Sequence, residues 1–390
     1  MTRKPETNAI RDQIERTQFM EHSSPLFLTS SFVFEHSEEM RAAFADELDR
    51  NIYSRFTNPN TTELVLKIAH MEGAEDGVSF ATGMGAVFGT FAALLDSGDH
   101  IVSARSIFGS THSLFSKYLP KWNIETSYFD VDSPQQAEAL IKANTKIIYA
   151  ETPTNPGVDI LDLQYLGDLA KQHNLILVID NCFATPYLQQ PIDFGADLVI
   201  HSATKLIDGQ GRVLGGVTVG KKDLIQKIYL FARNTGSALS PFNAWILSKS
   251  METLAVRVDR HCQSALEIAS KLEHHPKIAR VKYPFLPSHP QYALAQKQMS
   301  QGGNIISFEL KGGLQSGQQF LDHITMLSLS SNLGDSRTIV THPASTTHSK
   351  LSAEERGKVG ISDGMIRLSV GLEHPDDILQ DIYQALDAVS

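Results

Sequence analysis

The segment His201-Ser202-Ala203-Thr204-Lys205-Leu206 sets a lysine behind hydroxyl side chains, directly after the strand-like Asp197–Ile200. A surface lysine needs no such neighbours. Two readings stand: a lysine at a loop mouth, or one held for imine formation, with Ser202 and Thr204 offering hydroxyls to a phosphate. A second segment, Leu175-Ile176-Leu177-Val178-Ile179-Asp180-Asn181, runs from apolar residues into an aspartate. Open α/β sheets bind ligands outside the carboxyl ends of their strands. Asp180 either caps the next turn or presents a carboxylate to such a crevice. Lys205 follows the next strand-like run, so two successive strand ends deliver an acid and an amine to one place. Pyridoxal 5'-phosphate (PLP) requires that pair: an amine to capture its aldehyde and a carboxylate to keep its pyridine nitrogen protonated.

A third segment, Ala81-Thr82-Gly83-Met84-Gly85-Ala86, follows the strand-like Gly77–Phe80 and opens a helix. Backbone N–H groups at a helix N-terminus bind phosphate, and small residues permit close approach. The spacing differs from the Gly-x-Gly-x-x-Gly dinucleotide pattern. A tight strand-to-helix turn without a ligand is the alternative.

The elements that must position these residues are legible as short apolar runs alternating with helix-length segments. The runs are Gly77–Phe80, His100–Ala104, Ile124–Phe129, Lys146–Glu151, Leu175–Asn181, Leu198–Ser202 and Gly216–Val219. Candidate helices between them include Met84–Leu95, His112–Leu119 and Leu163–His173. This alternation indicates a parallel sheet covered on both faces. Asn243 to about Leu272 reads as one long helix bridging two domains. Arg280–Tyr283, Asn304–Leu310, Met326–Leu329 and Met365–Ser369, mixed with helices, read as a smaller α+β domain. The expected division is an arm at 1–60 with little core of its own, a large domain at 61–250 and a small one at 251–390.

The 390 residues allow two or three domains at roughly 100–200 residues each. Apolar types at 42% and charged types at 20% are globular usage and exclude a disordered or fibrous chain. With 34 Lys plus Arg against 44 Asp plus Glu, the net charge of −10 argues against a broad nucleic-acid footprint. The 2 cysteines exclude a disulfide framework or a multi-cysteine metal site. The 15 histidines show no metal-ligand spacing, and His342 and His348 read as loop residues. No signal-like N-terminal segment and no apolar run of ~20 residues is present. The expectation is a cytoplasmic enzyme without a metal, a membrane or a nucleic-acid partner.

The order of these features along the chain resembles the cysteine and methionine metabolism family of PLP-dependent enzymes. The resemblance runs from about Thr17 to the end. Its motifs are Tyr-Ser-Arg-Phe-x-Asn-Pro (53–59), Ala-Glu-Thr-Pro-x-Asn-Pro (150–156), Ile-Asp-Asn-x-Phe-Ala-Thr-Pro (179–186), Ser-Ala-Thr-Lys (202–205) and Arg-Leu-Ser-Val-Gly-x-Glu (367–373). It implies an aspartate-aminotransferase-like (type I) α/β fold, with a mostly parallel sheet of the seven-stranded type in the large domain. It further implies that Lys205 binds the cofactor aldehyde, Asp180 pairs with the ring nitrogen, and Gly83, Met84, Ser202 and Thr204 hold the phosphate. Tyr53 and Arg55 would reach the phosphate from a neighbouring subunit. That makes the protein a homo-oligomer, expected to be a tetramer with shared active sites. Arg367 would clamp the substrate carboxylate, a bidentate task suited to a guanidinium. Asn155 would sit near the ring hydroxyl and the substrate, and Asn332 near the substrate.

Several stretches resemble the homoserine-ester sulfhydrylase branch: Asp208–Gly216, Arg233–Gly236, Leu239–Trp245, Asn332–Asp335 and Thr341–His348. That branch implies γ-replacement in methionine biosynthesis: O-succinyl-L-homoserine and sulfide giving L-homocysteine and succinate. Lys205 would carry the protons. Cystathionine γ-synthase and O-acetylhomoserine sulfhydrylase are the alternatives within the family, and a PLP-binding regulatory module outside it. Phe108 stands where many relatives carry the tyrosine that stacks on the cofactor ring. A phenyl face still stacks, but it moves no proton. Ser110 stands where methionine γ-lyases tend to carry cysteine. Cys182 stands for a more usual threonine and reads as a small buried residue.

Overall fold

The computed structural model describes residues 3–389. Its larger sheet contains β1 (Asp76–Phe80), β2 (His100–Ala104), β3 (Glu125–Phe129), β4 (Thr145–Glu151), β5 (Ile176–Asp180), β6 (Leu198–His201) and β7 (Gly216–Gly220). The seven strands lie in the order β1-β7-β6-β5-β4-β2-β3. All neighbours are parallel except β7, which runs against both β1 and β6. Strands sandwiched between helices have no polar face, which is why most of β4 and most of β5 are continuous apolar runs and β2 is buried throughout. Their residues Ile101, Val102, Ile147, Ile148, Leu177, Val178 and Ile179 are fully buried.

A second sheet carries β8 (Ile278–Lys282), β9 (Ile305–Leu310), β10 (Ser328–Leu329), β11 (Ile339–Thr341) and β12 (Met365–Ser369), in the order β10-β11-β12-β9-β8. Arg367 of β12 thus lies opposite Ser307 of β9 and Thr341 of β11. The helix Leu254–Leu272 serves both halves. Its Leu254, Val258 and Cys262 join the core of the first sheet, and Ala265, Ile268, Ala269 and Leu272 join that of the second.

The single helix expected from Asn243 to Leu272 is two helices, Pro241–Met251 and Leu254–Leu272. The Ser250 carbonyl accepts from the Thr253 N–H at 3.2 Å, from its hydroxyl at 3.2 Å and from Arg257 Nη2 at 2.9 Å. A threonine hydroxyl that bonds the local backbone competes with helix continuation. The helix expected at His112–Leu119 also differs. A short helix, Gly109–Ser113, passes into a wider turn at Leu114–Tyr118.

The N-terminal arm contributes few apolar residues to either core. Ala9 and Ala43 are buried, while Phe19 (82% exposed) and Val33 (87%) are open. Polar contacts hold it instead. Glu63 accepts from the Ile14 N–H and the Ser24 hydroxyl, and Asn60 accepts from the Phe27 N–H at 2.8 Å. Among the described residues, no helix is long and apolar enough to cross a membrane.

Candidate active site

Three neighbouring strands of the large sheet end together. Glu151 closes β4 and lies opposite Asp180, which closes β5. Asp180 lies opposite Ile200, one residue before the end of β6. Parallel strands aim these ends at one edge of the sheet, the edge where open α/β sheets bind ligands. Beyond β6 the chain turns through Ser202–Asp208 and presents Lys205, four residues past His201. Lys205 therefore sits in a turn, not at the strand's last residue. Arg257 fixes that turn by donating to the Leu206 carbonyl at 2.7 Å and the Ile207 carbonyl at 3.3 Å.

Lys205 donates from Nζ to Asn332 Oδ1 at 2.7 Å. The loop carrying Asn332 can come this close because Gly334 has φ +71°, and a Cβ there would stand 2.7 Å from the Leu206 nitrogen. Burial pushes the Lys205 ammonium below its ordinary pKa, and the Arg367 cation adds to that, against Cys182 and Asp180. A lysine so placed is more readily neutral than one in water.

Asp180 is 6% exposed. It accepts from the Tyr149 hydroxyl at 3.3 Å and the Cys182 N–H at 3.1 Å. Burial pushes its pKa up, against hydrogen bonds from Cys182 and Tyr149 and the nearby His201. Cys182, expected only to fill space, also accepts the Ser202 N–H on its sulfur at 2.8 Å. It therefore ties the Asp180 end of β5 to the residue after β6.

Ser202 faces the start of the helix Gly83–Leu94. A Cβ on Gly83 would lie 2.7 Å from that of Ser202, so only glycine fits. Thr82 caps this helix by accepting the Gly85 N–H, which leaves the Gly83 and Met84 N–H groups at its open end. The Thr204 hydroxyl accepts the Gly215 N–H at 3.2 Å. Met84 takes a contact from the Thr111 hydroxyl at 3.7 Å.

Arg367 is 5% exposed and donates from Nη1 to Asn155 Oδ1 at 3.1 Å. Its Nη2 donates to the carbonyls of Ser331 at 3.2 Å and Asn332 at 2.9 Å, and to the Thr341 hydroxyl at 3.3 Å. Its Nε has no partner, and among the described residues no carboxylate pairs with it. Burial lowers its pKa to about 10. Asn332 thus touches both Lys205 and Arg367, and Asn155 joins the same group.

Phe108 is 45% exposed, and its N–H donates to Glu151 Oε2 at 2.7 Å. Tyr53 and Arg55 are not brought to Lys205 or Asp180 within one chain. Both are exposed, and Arg55 donates to the Arg233 carbonyl and lies against the rings of Tyr53 and Phe56.

Sequence reasoning passed over Glu151 and Tyr149. Both are buried, and both crowd Asp180. The signal was available: Lys146–Glu151 is an apolar run ending in a carboxylate, as Leu175–Asp180 is. Among the described residues, no group of three His, Cys, Asp or Glu side chains could hold a metal ion.

The donor set fits PLP. A carboxylate held this dry, with no cationic side chain paired to it among the described residues, wants a positive partner, and a protonated ring nitrogen is one. The open helix end at Gly83 beside Ser202 suits a phosphate, and Lys205, whose ammonium burial disfavours, suits an aldehyde. Fold and cleft together define an α/β enzyme of the PLP-dependent class.

Comparison with known proteins narrows the class. The model of the Cys/Met metabolism PLP-dependent enzyme family matches residues 6–387. The chain is 45% identical over 384 residues to an O-succinylhomoserine sulfhydrylase of Pseudomonas aeruginosa, covering 98% of this chain and 95% of that one. It is 41% identical over 370 residues to an L-methionine gamma-lyase of Porphyromonas gingivalis, covering 94% and 93%. A solved Campylobacter jejuni structure, 34% identical, superposes with a TM-score of 0.95 over 99% of this chain and 100% of that one. It carries N'-pyridoxyl-lysine-5'-monophosphate at its position 205. The chain belongs to the Cys/Met metabolism PLP-dependent enzyme family.

Proposed function

We propose that the protein is an O-succinylhomoserine sulfhydrylase, converting O-succinyl-L-homoserine and sulfide to L-homocysteine and succinate. The observation that carries the amino-acid substrate is Arg367. It is a buried guanidinium with an unpartnered Nε and no carboxylate partner among the described residues, and Asn332 joins it to Lys205. A substrate α-carboxylate completes that group and leaves the rest of the amino acid beside Lys205. The sulfhydrylase reading is supported by likeness to the Pseudomonas aeruginosa enzyme and to a second of that name from Mycobacterium tuberculosis, 42% identical over 385 residues.

In this reading Lys205 holds the cofactor, and Asp180 retains the proton on its ring nitrogen. Gly83, Met84, Ser202 and Thr204 bind the phosphate. The bound cofactor would supply an electron-poor ring that takes up the pair left when the α-proton leaves, whereas the pair left when the β-proton leaves expels succinate from the γ-carbon, to which sulfide then adds. Lys205 Nζ, released from Asn332 and neutral, receives and returns those protons. Phe108 covers the cleft with an aromatic face and moves no proton, so Lys205 is the proton carrier in the cleft. Arg367 and Asn155 hold the carboxylate throughout. Sulfide needs no ionic recognition, so a dry cleft serves it.

Sites shared between subunits of a tetramer belong to the same proposal. Tyr53 and Arg55 stand exposed on an arm whose Phe19, Leu28 and Val33 are also open. In this reading another copy covers these exposed apolar residues. A second reading, methionine γ-lyase, is favoured by the 41% identity to the Porphyromonas gingivalis enzyme. Product analysis separates the two. Purified protein given O-succinylhomoserine with sulfide should yield homocysteine, and given L-methionine alone should yield little 2-oxobutyrate. The reverse pattern would overturn the proposal.

A further inference from the structure

Glu151 is 4% exposed, and no Lys, Arg or His pairs with it among the described residues. It accepts the Phe108 N–H at 2.7 Å and also a hydrogen bond from the Asn155 backbone. These are the two loops that bring an aromatic ring and an amide to the cleft. Phe108 sits at the start of the short helix Gly109–Ser113, and Asn155 bonds Arg367 at 3.1 Å. Across the β4–β5 ladder Glu151 is the partner of Asp180. Tyr149, two residues earlier on the same face of β4, donates to Asp180. The groups that face Glu151 are therefore Asp180 from β5, Tyr149 from β4, Cys182 beyond β5, and two backbone N–H donors.

We propose that Glu151 is a positioning residue that fixes Phe108 and Asn155 by accepting their backbone N–H groups from a place opposite Asp180 on the β4–β5 ladder. Two carboxylates at adjacent strand ends in a dry cleft do not both ionise easily. Asp180 has Tyr149, Cys182 and the nearby His201 to support its charge. Glu151 has two backbone N–H groups against burial and the Asp180 charge, and the balance raises its pKa well above the ordinary value. A neutral carboxyl oxygen still accepts a hydrogen bond, so the holding function does not need the charge. This inference rests on the proposed roles of Asp180 and Phe108.

The test compares Glu151→Gln and Glu151→Leu in the full-length holoenzyme. Glutamine keeps an acceptor oxygen and the shape. Leucine removes the acceptor and leaves two N–H groups unanswered. Glu151→Gln should keep kcat/KM within about threefold, whereas Glu151→Leu should lose on the order of ten- to a hundredfold. The conservative variant thus rescues what the apolar one destroys. Infrared spectra of resting protein labelled with 13C at the glutamate carboxyls should show a protonated-acid C=O band at neutral pH. That band should vanish in Glu151→Gln and persist in a Cys182→Ala control. If Glu151→Gln loses as much activity as Glu151→Leu, or the band survives in Glu151→Gln, Glu151 is not a neutral acceptor. If Glu151→Leu keeps full activity, it positions nothing. The infrared arm reads the resting enzyme and does not depend on which reaction the protein catalyses. It still decides the matter if the leucine variant fails to fold.

Discussion

Replacing Arg367 by lysine keeps the positive charge and removes the planar fork. The guanidinium now meets Asn155 Oδ1 at 3.1 Å, the Ser331 carbonyl at 3.2 Å and the Asn332 carbonyl at 2.9 Å, with Nε to spare. An arginine has five N–H donors and a lysine three. One ammonium cannot answer these three acceptors and also grip a carboxylate with two parallel bonds. Losing one charge-assisted hydrogen bond costs about 1.5–3 kcal/mol, which is roughly ten- to 150-fold in kcat/KM. A carboxylate held alike in ground state and transition state is uniform binding, so the loss should fall mainly on KM. In the proposed reading the cofactor is held elsewhere, by Lys205, Asp180 and the Gly83–Ser202 corner, so its retention should not change. The assay is steady-state kinetics on the homoserine ester beside a cofactor-to-protein ratio from absorbance. An unchanged kcat/KM would show that Arg367 is not the clamp. Loss of cofactor in parallel with activity would show that the substitution disrupts the whole cleft.

Lys205→Ala should bind PLP without a covalent link, so borohydride treatment followed by intact mass should show the pyridoxyl adduct in the wild type only. Arg55→Ala should weaken PLP retention, and mixing it with Lys205→Ala subunits should restore some activity, because each hybrid contains sites with one intact arm and one intact lysine. No recovery after proven subunit exchange would count against shared sites. Glu151→Gln should make the apoprotein progressively more stable than the wild type as pH rises. A glutamate whose folded pKa is raised binds its proton in the native state and releases it in the unfolded chain. Wild-type stability from this group is full below the unfolded pKa near 4.3 and falls as pH climbs from there toward the folded value. Thermal melts at several pH values check it, and a stability difference, variant minus wild type, that falls with rising pH would refute the protonated state of Glu151.

The strands of the large sheet were legible because buried parallel strands leave apolar stretches with little alternation, as in Ile176–Asp180, and Met365–Ser369, antiparallel to both of its neighbours, also matches the sequence reading. The break at Glu252–Thr253 was not legible. It depends on Arg257 and Thr253 both claiming the Ser250 carbonyl, which a helical apolar pattern does not record. β11 went unread because its two apolar residues, Ile339 and Val340, stand between Thr338 and Thr341 and make no run. In the cleft, Lys205 and Asp180 were legible from a strand-end pattern, and their separate support was not. Glu151 shows the same pattern as Asp180, but it was weighed only as part of a motif. Cys182 looked like filler because its use lies in its sulfur accepting the Ser202 N–H, a tertiary contact between two strand ends. Tyr53 and Arg55 were legible only through resemblance, since nothing local ties an exposed arm to a cleft that another copy would complete.

The measurement that bears most directly on the central claim is a competition. Purified protein receives O-succinyl-L-homoserine with sulfide and cysteine at equal concentrations, and the products are resolved by mass. The account predicts that homocysteine dominates over cystathionine, succinate being released in either case, because Arg367 is buried to hold one carboxylate and sulfide needs no such partner. Dominant cystathionine would contradict it, leaving the PLP chemistry of Lys205 and Asp180 intact but assigning the site a second amino acid as its nucleophile.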